Sequence, residues 1–299
     1  MGWILALLAG GVLTFNAVVT PDKAADEATK ALRKKFPGAV VKVVIDGKRG
    51  KDVLNGRFKR VDVELSDLTL DELPIAASAP ASPNVSVTAV APAVAMPGSA
   101  NSAVGAARPA VTEAVKTPKI KLGRAGEINI SVKQFHWNKL PVERADFHFE
   151  NVEYDFGALK SRSEFVLIRT GAARMHLELA PDALTPFIEK RVANVSNASV
   201  HIGDGTLSVQ GQRTLYGVAA PFEVKGAPGF IGSQVILQQP SLRISGLPVP
   251  ALMATPLLKS VNPLYSFADL KDLPFTVNLT AVTAREGKLQ IDGALALKR

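Results

Sequence analysis

Asp146, His148 and Glu150 stand at i, i+2 and i+4 of one stretch. In a β-strand that spacing puts three titratable side chains on one face. Such a trio can hold a divalent cation, or let the imidazole act as a general base. The alternative is a solvated polar face opposite Phe147 and Phe149, and the sequence favours it. The other histidines, His136, His176 and His201, are scattered. Gly203 and Gly205 have the spacing of a phosphate loop. Asp204-Gly205, however, lies between two apolar alternations, which is the signature of a hairpin turn. The patterns G-x-S-x-G, H-E-x-x-H, G-x-G-x-x-G and the P-loop do not occur. With no cysteine in the chain there is no thiolate nucleophile, no disulfide and no cysteine metal site. The chain therefore reads as non-enzymatic, with no catalytic residue, no metal site and no cofactor.

What must position these residues begins with an apolar leader. Gly2 to Thr20 carry no charge, and the first charged residue is Asp22. About 20 apolar residues are enough to cross a bilayer as a helix. A cleaved signal peptide wants a basic start and a small-x-small cut site. Phe15-Asn16-Ala17 is a poor one, so residues 1–20 read as an uncleaved anchor ahead of a cleaved signal. The absence of cysteine excludes a lipoprotein. The net charge of +8 suits nucleic acid, anionic lipid or plain solubility. Beside an apolar leader, anionic lipid is the economical partner, at about 1 kcal/mol for each cation held near such a surface. No basic-aromatic platform for nucleic acid is present.

A helix follows. Thr20 caps it, Pro21 and Asp22 suit its first turn, and Pro37-Gly38 end it. Ala24, Ala28, Leu32 and Phe36 form its apolar stripe. Arg33, Lys34 and Lys35 at its negative end are either plain surface residues or a cluster meeting lipid head groups. Strands are expected over Ala39–Ile45, before an Asp46-Gly47 turn, and over Phe58–Leu65, where Val61, Val63 and Leu65 alternate with charges. Pro74 to Thr112 holds one charge, Arg108, and is otherwise mostly Ala, Pro, Ser, Val and Gly. It has too little to bury to offset its ordering entropy. The division expected is leader 1–20, first part of a domain 21–73, disordered insert 74–116, and the rest of the same domain 117–299. Arg60 to Asp71 parallels Arg144 to Asp155, as strand, Asp/Asn break and second alternation. A duplicated strand unit explains this, and so does chance.

From residue 117 onward the pattern is β-rich. Strands are expected over Glu127–Val132, Ala145–Phe149, Phe165–Thr170 and Arg174–Leu179, then a helix over Pro181–Val192. Hairpins are expected at Asp204-Gly205, at Gln239-Pro240 between Val235–Leu237 and Leu242–Ile244, and at Arg285-Glu286-Gly287 between Phe275–Val282 and Lys288–Leu297. Leu247 to Leu270 has prolines at 248, 250, 256 and 263 and predicts short broken helices with an apolar face.

Several of these segments together resemble the LmeA-like phospholipid-binding family, formerly a bacterial envelope domain of unknown function. They are Asp155-Phe-Gly-Ala-Leu159, Met175-His-Leu-Glu-Leu179 leading into Ala180-Pro-Asp-Ala-Leu184, Ser199 through Val209, Gly246-Leu-Pro-Val-Pro250, and Leu273 through Leu289. The leader, first helix and Gly56 to Val63 fit the family's N-terminal half, and the Ala/Pro insert departs from it. The resemblance implies an α+β, β-rich fold. A strongly curved antiparallel sheet would wrap one or two helices, as in tubular lipid-binding proteins, behind an N-terminal membrane helix. It implies an anchored or exported protein of the cell envelope, on the periplasmic or extracytoplasmic face of the inner membrane. Such a protein holds phospholipid in an apolar groove for presentation, transfer or support of lipid synthesis. Candidate groove residues are Leu184, Phe187, Ile188, Leu252, Met253, Leu257 and Leu258; each is otherwise ordinary core. Arg33, Lys34 and Lys35 are the membrane-surface candidates. The other reading is an envelope scaffold whose protein partner the sequence does not identify.

Overall fold

A computed structural model describes residues 20–47, 50–67, 121–137, 140–158, 166–191, 195–215, 218–269 and 275–298. The leader (residues 1–19) and the Ala/Pro insert lie outside these. No helix among the described residues is long and apolar enough to cross a membrane.

The first helix, α1 (Pro21–Lys35), starts where its cap requires, with Thr20 Oγ1 accepting from Lys23 N–H at 3.4 Å. Its stripe of Ala24, Ala28 and Leu32 is buried, with Phe36 just beyond it, and it packs on β1 (Val40–Asp46). A short helix, α2 (Gly50–Leu54), then leads to β2 (Arg57–Ser66). The remaining strands of this sheet are β3 (Leu122–Trp137), β4 (Leu140–Asp155), β5 (Leu167–Arg169) and β6 (Ala173–Leu179). Its final pair, β13 (Phe275–Arg285) and β14 (Lys288–Leu297), comes from the end of the chain. The order is β1-β2-β3-β4-β6-β14-β13, with β5 on β4. Between β6 and β13 the chain runs through helix α3 (Pro181–Arg191), then β7 (Val195–Gly203), β8 (Thr206–Leu215), β9 (Val218–Ile231), β10 (Gln234–Ile244) and β11 (Leu247–Pro248). Helix α4 (Ala251–Val261) and β12 (Tyr265–Ser266) complete the run. These strands form a second sheet in the order β11-β10-β9-β8-β7, with β12 on β10.

The architecture is β-rich α+β, with a strongly curved half-barrel sheet. Two features go beyond the expected curved antiparallel sheet. There are two sheets, and β2 pairs with β3 in parallel, Val61 opposite Ile128 and Val63 opposite Ile130. A parallel pair needs a long crossover, and the chain from Asp67 to Lys121 supplies it, insert included.

Period-two alternation sets which side is buried. One row crosses seven strands as Val41, Leu65, Val132, Ala145, Leu177, Ile291 and Val282, all buried. The next row, on the other face, is Lys42, Glu64, Ser131, Asp146, His176, Asp292 and Ala281. The aromatic end of the core is fitted around glycines. Tyr154 is fully buried and donates to the Gly56 carbonyl at 2.9 Å. Burial pushes its hydroxyl pKa far up. Its ring meets Phe156 edge-on at 6.4 Å.

Other expectations change in detail. Gln239-Pro240 is not a hairpin turn, because Val235–Leu237 and Leu242–Ile244 lie on one strand, β10. A bulge with Gln239 at φ 46° shifts the register between Gln238 and Ser241. A bulge takes up one extra residue and kinks the strand without reversing it. The broken helices expected after Leu247 are one helix, α4, with Pro256 inside it. Pro256 removes one backbone donor near the first turn, and burial of Ala254, Leu257 and Val261 holds the rest in place. Of the strand expected over Phe165–Thr170, Leu167–Arg169 is strand and Phe165 lies outside the described residues; β9 is not among the strands that the sequence predicts. Asp204-Gly205 and Glu286-Gly287 are the turns expected.

Gly56 has φ +67°, and a Cβ there would lie 2.4 Å from the Phe156 ring, whereas Gly205, at φ +69°, faces open space. Gly56→Ala is therefore expected to cost upward of about 2 kcal/mol, from backbone strain plus overpacking, and Gly205→Ala about 1 kcal/mol. Urea unfolding midpoints at equal m-value check the order; equal losses would show that the Phe156 contact does not constrain the fold.

Candidate functional site

Asp146, His148 and Glu150 do share one face of β4, and every one of them is engaged. Ser131 Oγ donates to Asp146 at 2.6 Å, and Arg144 Nε lies 2.7 Å from the same carboxylate. Asn129 spends its amide N–H on Asp62 at 2.7 Å, so its oxygen faces His148 Nδ1, which donates to it at 2.5 Å. His148 Nε2 is 3.2 Å from Glu150. One strand over, His176 Nδ1 lies 2.7 Å from Asp292 and Nε2 3.5 Å from Glu178. Lys288 joins Glu178 to Glu143, at 3.6 and 2.8 Å. The trio thus belongs to a hydrogen-bonded band on the polar face of the large sheet. No group of three metal-ligating side chains occurs among the described residues. Gly203 and Gly205 sit at a hairpin turn whose amide is used elsewhere: Gly205 N–H donates to Ala284 C=O at 2.9 Å.

An open cleft of about 720 Å³ lies where β3, β4 and β5 meet, with Arg124, Asn151, Glu153 and Arg169 among its walls. Glu153 already pairs with both guanidinium groups, Arg124 at 3.1 Å and Arg169 at 3.4 Å. Ion-paired walls suit an acyl chain poorly.

The apolar candidates lie in the second sheet and its two helices. Helix α3 packs on β7 and reaches β4, α4 packs on β10, and the two helices touch. Leu184, Ile188 and Leu257 are buried in the one contiguous core, and Leu258 packs half-buried against it. Leu252 is 89% exposed. The side chains of Phe187 and Met253 lie outside what is described. Arg33 and Lys34 are exposed at the end of α1, with Arg33 3.4 Å from the Val41 carbonyl; the Lys35 side chain is not described.

The two ends of the second sheet differ. At one end its turns dock on the edge of β13: Gly205 bonds Ala284, and Leu279 N–H donates to Gly232 C=O at 3.3 Å. At the other end, Ser245 and Gly246 (φ 50° and 80°) form the two-residue turn that joins β10 to β11. Ile244 pairs with Phe222 on one side and Leu247 on the other, which puts all three on the core face of the sheet. Phe222 is buried, Ile244 is half-buried and Leu247 is 70% exposed. The core face thus runs out into solvent at this end, beside the uncapped first turn of α4 that carries Leu252. Between Glu223 and Asp269 the sequence holds Lys225, Arg243 and Lys259 and no carboxylate.

Leu252 is among the groove candidates of the sequence and Leu247 is not. The signal for Leu247 was local. Gly246 marks a turn, and pairing back across it aligns Leu247 with Ile244.

A protein-family model described as LmeA-like phospholipid-binding matches residues 100–294. No curated protein and no solved structure matches the chain.

The polar band makes one prediction. Burial of the His176 ring disfavours its charged form, but the hydrogen bond and charge of Asp292, then of Glu178, outweigh it and raise its pKa above 6.5. Asp146 stands opposite it on β4, and the Lys288 and Arg144 cations flank the group. A raised histidine pKa adds stability that is complete below the unfolded value near 6.5 and disappears as pH rises through the folded value. Melting temperature is therefore expected to fall from pH 6 to pH 8, and His176→Gln to flatten that slope. An unchanged slope in the variant would assign the pH dependence to other groups.

Proposed function

The chain belongs to the LmeA-like phospholipid-binding family, and from that premise we propose that it binds phospholipid at the open end of the second sheet. The observation that carries this reading is the pair Leu247 and Leu252. Both are large, apolar and exposed, Leu247 on β11 opposite Ile244 and Leu252 in the first turn of α4. Leu247 extends the buried face of Phe222 and Ile244 outward, so an acyl chain laid along it continues the core. Each methylene that leaves water on such a surface contributes about 0.8 kcal/mol. The family is defined by a ligand and not by a reaction, and the satisfied polar band offers no reaction in its place.

The wider role is an envelope protein that presents or transfers lipid, or supports envelope lipid and glycolipid synthesis. Residues 1–20 would hold it at the extracytoplasmic face of the inner membrane or export it there. A net charge of +8 and the carboxylate-free stretch around Arg243 and Lys259 favour anionic lipid. Arg33 and Lys34 at the end of α1 would add contacts with the same surface.

Native mass spectrometry on the chain from Pro21 onward, purified without detergent, is expected to find one phospholipid per chain. A clean apo mass after incubation with phosphatidylglycerol vesicles would overturn the reading. Leu247→Asp and Leu252→Asp are each expected to weaken sedimentation with those vesicles by about tenfold or more while leaving the melting temperature in place.

A further inference from the structure

The smaller sheet carries one charged side chain on its core face among the described residues, Arg213. The register places it there. Val209 and Gly211 face the core, and Arg213 follows at the same parity, opposite Val195 on β7 and Ala220 on β9. The neighbouring row is Gly211, Phe222, Ile244 and Leu247, the apolar row that leads out to solvent. Arg213 therefore stands one row beyond the acyl-compatible surface, at the rim of the open end.

Among the described residues its guanidinium has no hydrogen-bond or ion-pair partner. Arg213 is half-buried, and its Nε is buried without a hydrogen-bond partner. No carboxylate pairs with it among the described residues. Glu189 of α3, which reaches β7, is taken by the Ala198 N–H at 2.9 Å. Glu223 lies on the opposite face of β9, where the Gln210 amide donates to it. A buried N–H without an acceptor is destabilising, because it has left water without gaining a partner. A planar fork with one prong hidden among apolar residues is what a phosphate can engage from the solvent side.

We infer that Arg213 is the phosphate-binding cation of this end of the sheet, taking the phosphodiester of a phospholipid whose chains follow Phe222, Ile244 and Leu247. This rests on the lipid reading above and adds the polar half of the ligand to it. The arrangement matches the amphiphile: apolar rows inward and, among the described residues, one unpaired cation at the rim with no carboxylate on that face to compete.

The full chain would be titrated with three probes: dihexanoyl phosphatidylglycerol below its micelle concentration, dihexanoylglycerol, which has the same chains without phosphate, and inorganic phosphate. Arginine Nε resonances would be followed by NMR, with Arg213 assigned by its loss in Arg213→Lys. The expected result is that the phosphatidylglycerol shifts the Arg213 Nε–H and dihexanoylglycerol does not. Arg213→Gln should weaken phosphatidylglycerol binding about 10- to 100-fold while leaving dihexanoylglycerol binding unchanged. Arg213→Lys, which keeps the charge and loses the fork, should fall between. If Arg213→Gln binds phosphatidylglycerol like the wild type, the assignment is overturned and lipid binding stands. If it loses both lipids equally, Arg213 is a packing residue and the assignment is again overturned. Inorganic phosphate binding as tightly as the lipid would make this a free-anion site. Failure of the wild-type chain to bind either lipid would overturn the lipid reading itself.

Discussion

A sheet with a free edge exposes a row of unpaired backbone groups, and proteins must cover them. Here the edge of β13 is met by two turns of the second sheet, through Gly205 N–H to Ala284 C=O and Leu279 N–H to Gly232 C=O. Asp204 adds a third contact, accepting from the Glu286 N–H at 3.3 Å. These contacts fix one end of the second sheet against the large sheet and let both share a single core. They also decide which end is open. The turns that dock are taken up by these bonds, and at the opposite end the Ser245-Gly246 turn, beside which Leu247 projects, makes no backbone bond to the large sheet among the described residues.

The same asymmetry runs through α4. Its C-terminal end is tied to β10 by the Asn262 side chain, which donates to Leu237 C=O and accepts from Leu237 N–H, both at 3.0 Å. Leu264 N–H adds a bond to Val235 C=O at 2.8 Å. At the N-terminal end Pro250 supplies no side-chain cap, and Pro256 has no N–H to give the Leu252 carbonyl. Local opening is easiest where hydrogen bonds and burial are fewest. The helix is thus anchored where it meets the core and loosest where Leu252 is exposed.

Legibility followed the range of the physical signal. α1, the Asp204-Gly205 hairpin and the β13–β14 hairpin were readable because caps and turns act over a few residues. β9 was not, because Val218–Ile231 contains prolines and glycines that break local alternation; its strand character comes from the partners on either side. The bulge at Gln239 looked like a turn for the same reason, since a left-handed residue beside a proline serves either purpose. The parallel between Arg60–Asp71 and Arg144–Asp155 has more behind it than letters. Arg60 pairs with Asp62 at 2.8 Å as Arg144 pairs with Asp146 at 2.7 Å. Asp67 and Asn151, at matching positions, both take positive φ, 60° and 49°. Strand, ion pair and left-handed residue thus recur at matching positions as far as Asp67, and residues 68–71 lie outside the described ones.

The proposed binding surface is less legible in the sequence than the fold is, for a reason that lies in the ligand. An enzyme must hold several reacting groups at fixed distances, and that leaves a spacing in the sequence. A phospholipid asks for apolar area and one cation, and neither has a spacing of its own. Of the seven apolar candidates, Leu184, Ile188 and Leu257 went to the core, since helices that cover a sheet need the same residues whether or not a lipid is present. What separates a binding surface from a core is where burial stops along a face, and that depends on register. Counting from the Asp204-Gly205 turn, Ile202 opposes Leu207, Val200 opposes Val209, and two steps later Val195 opposes Arg213. Parity then keeps Arg213 on the apolar side, where a charge is costly unless it has a partner. A cation that the fold places there without a carboxylate is therefore more informative than any of the remaining cations on the surface, most of which solvent alone can satisfy.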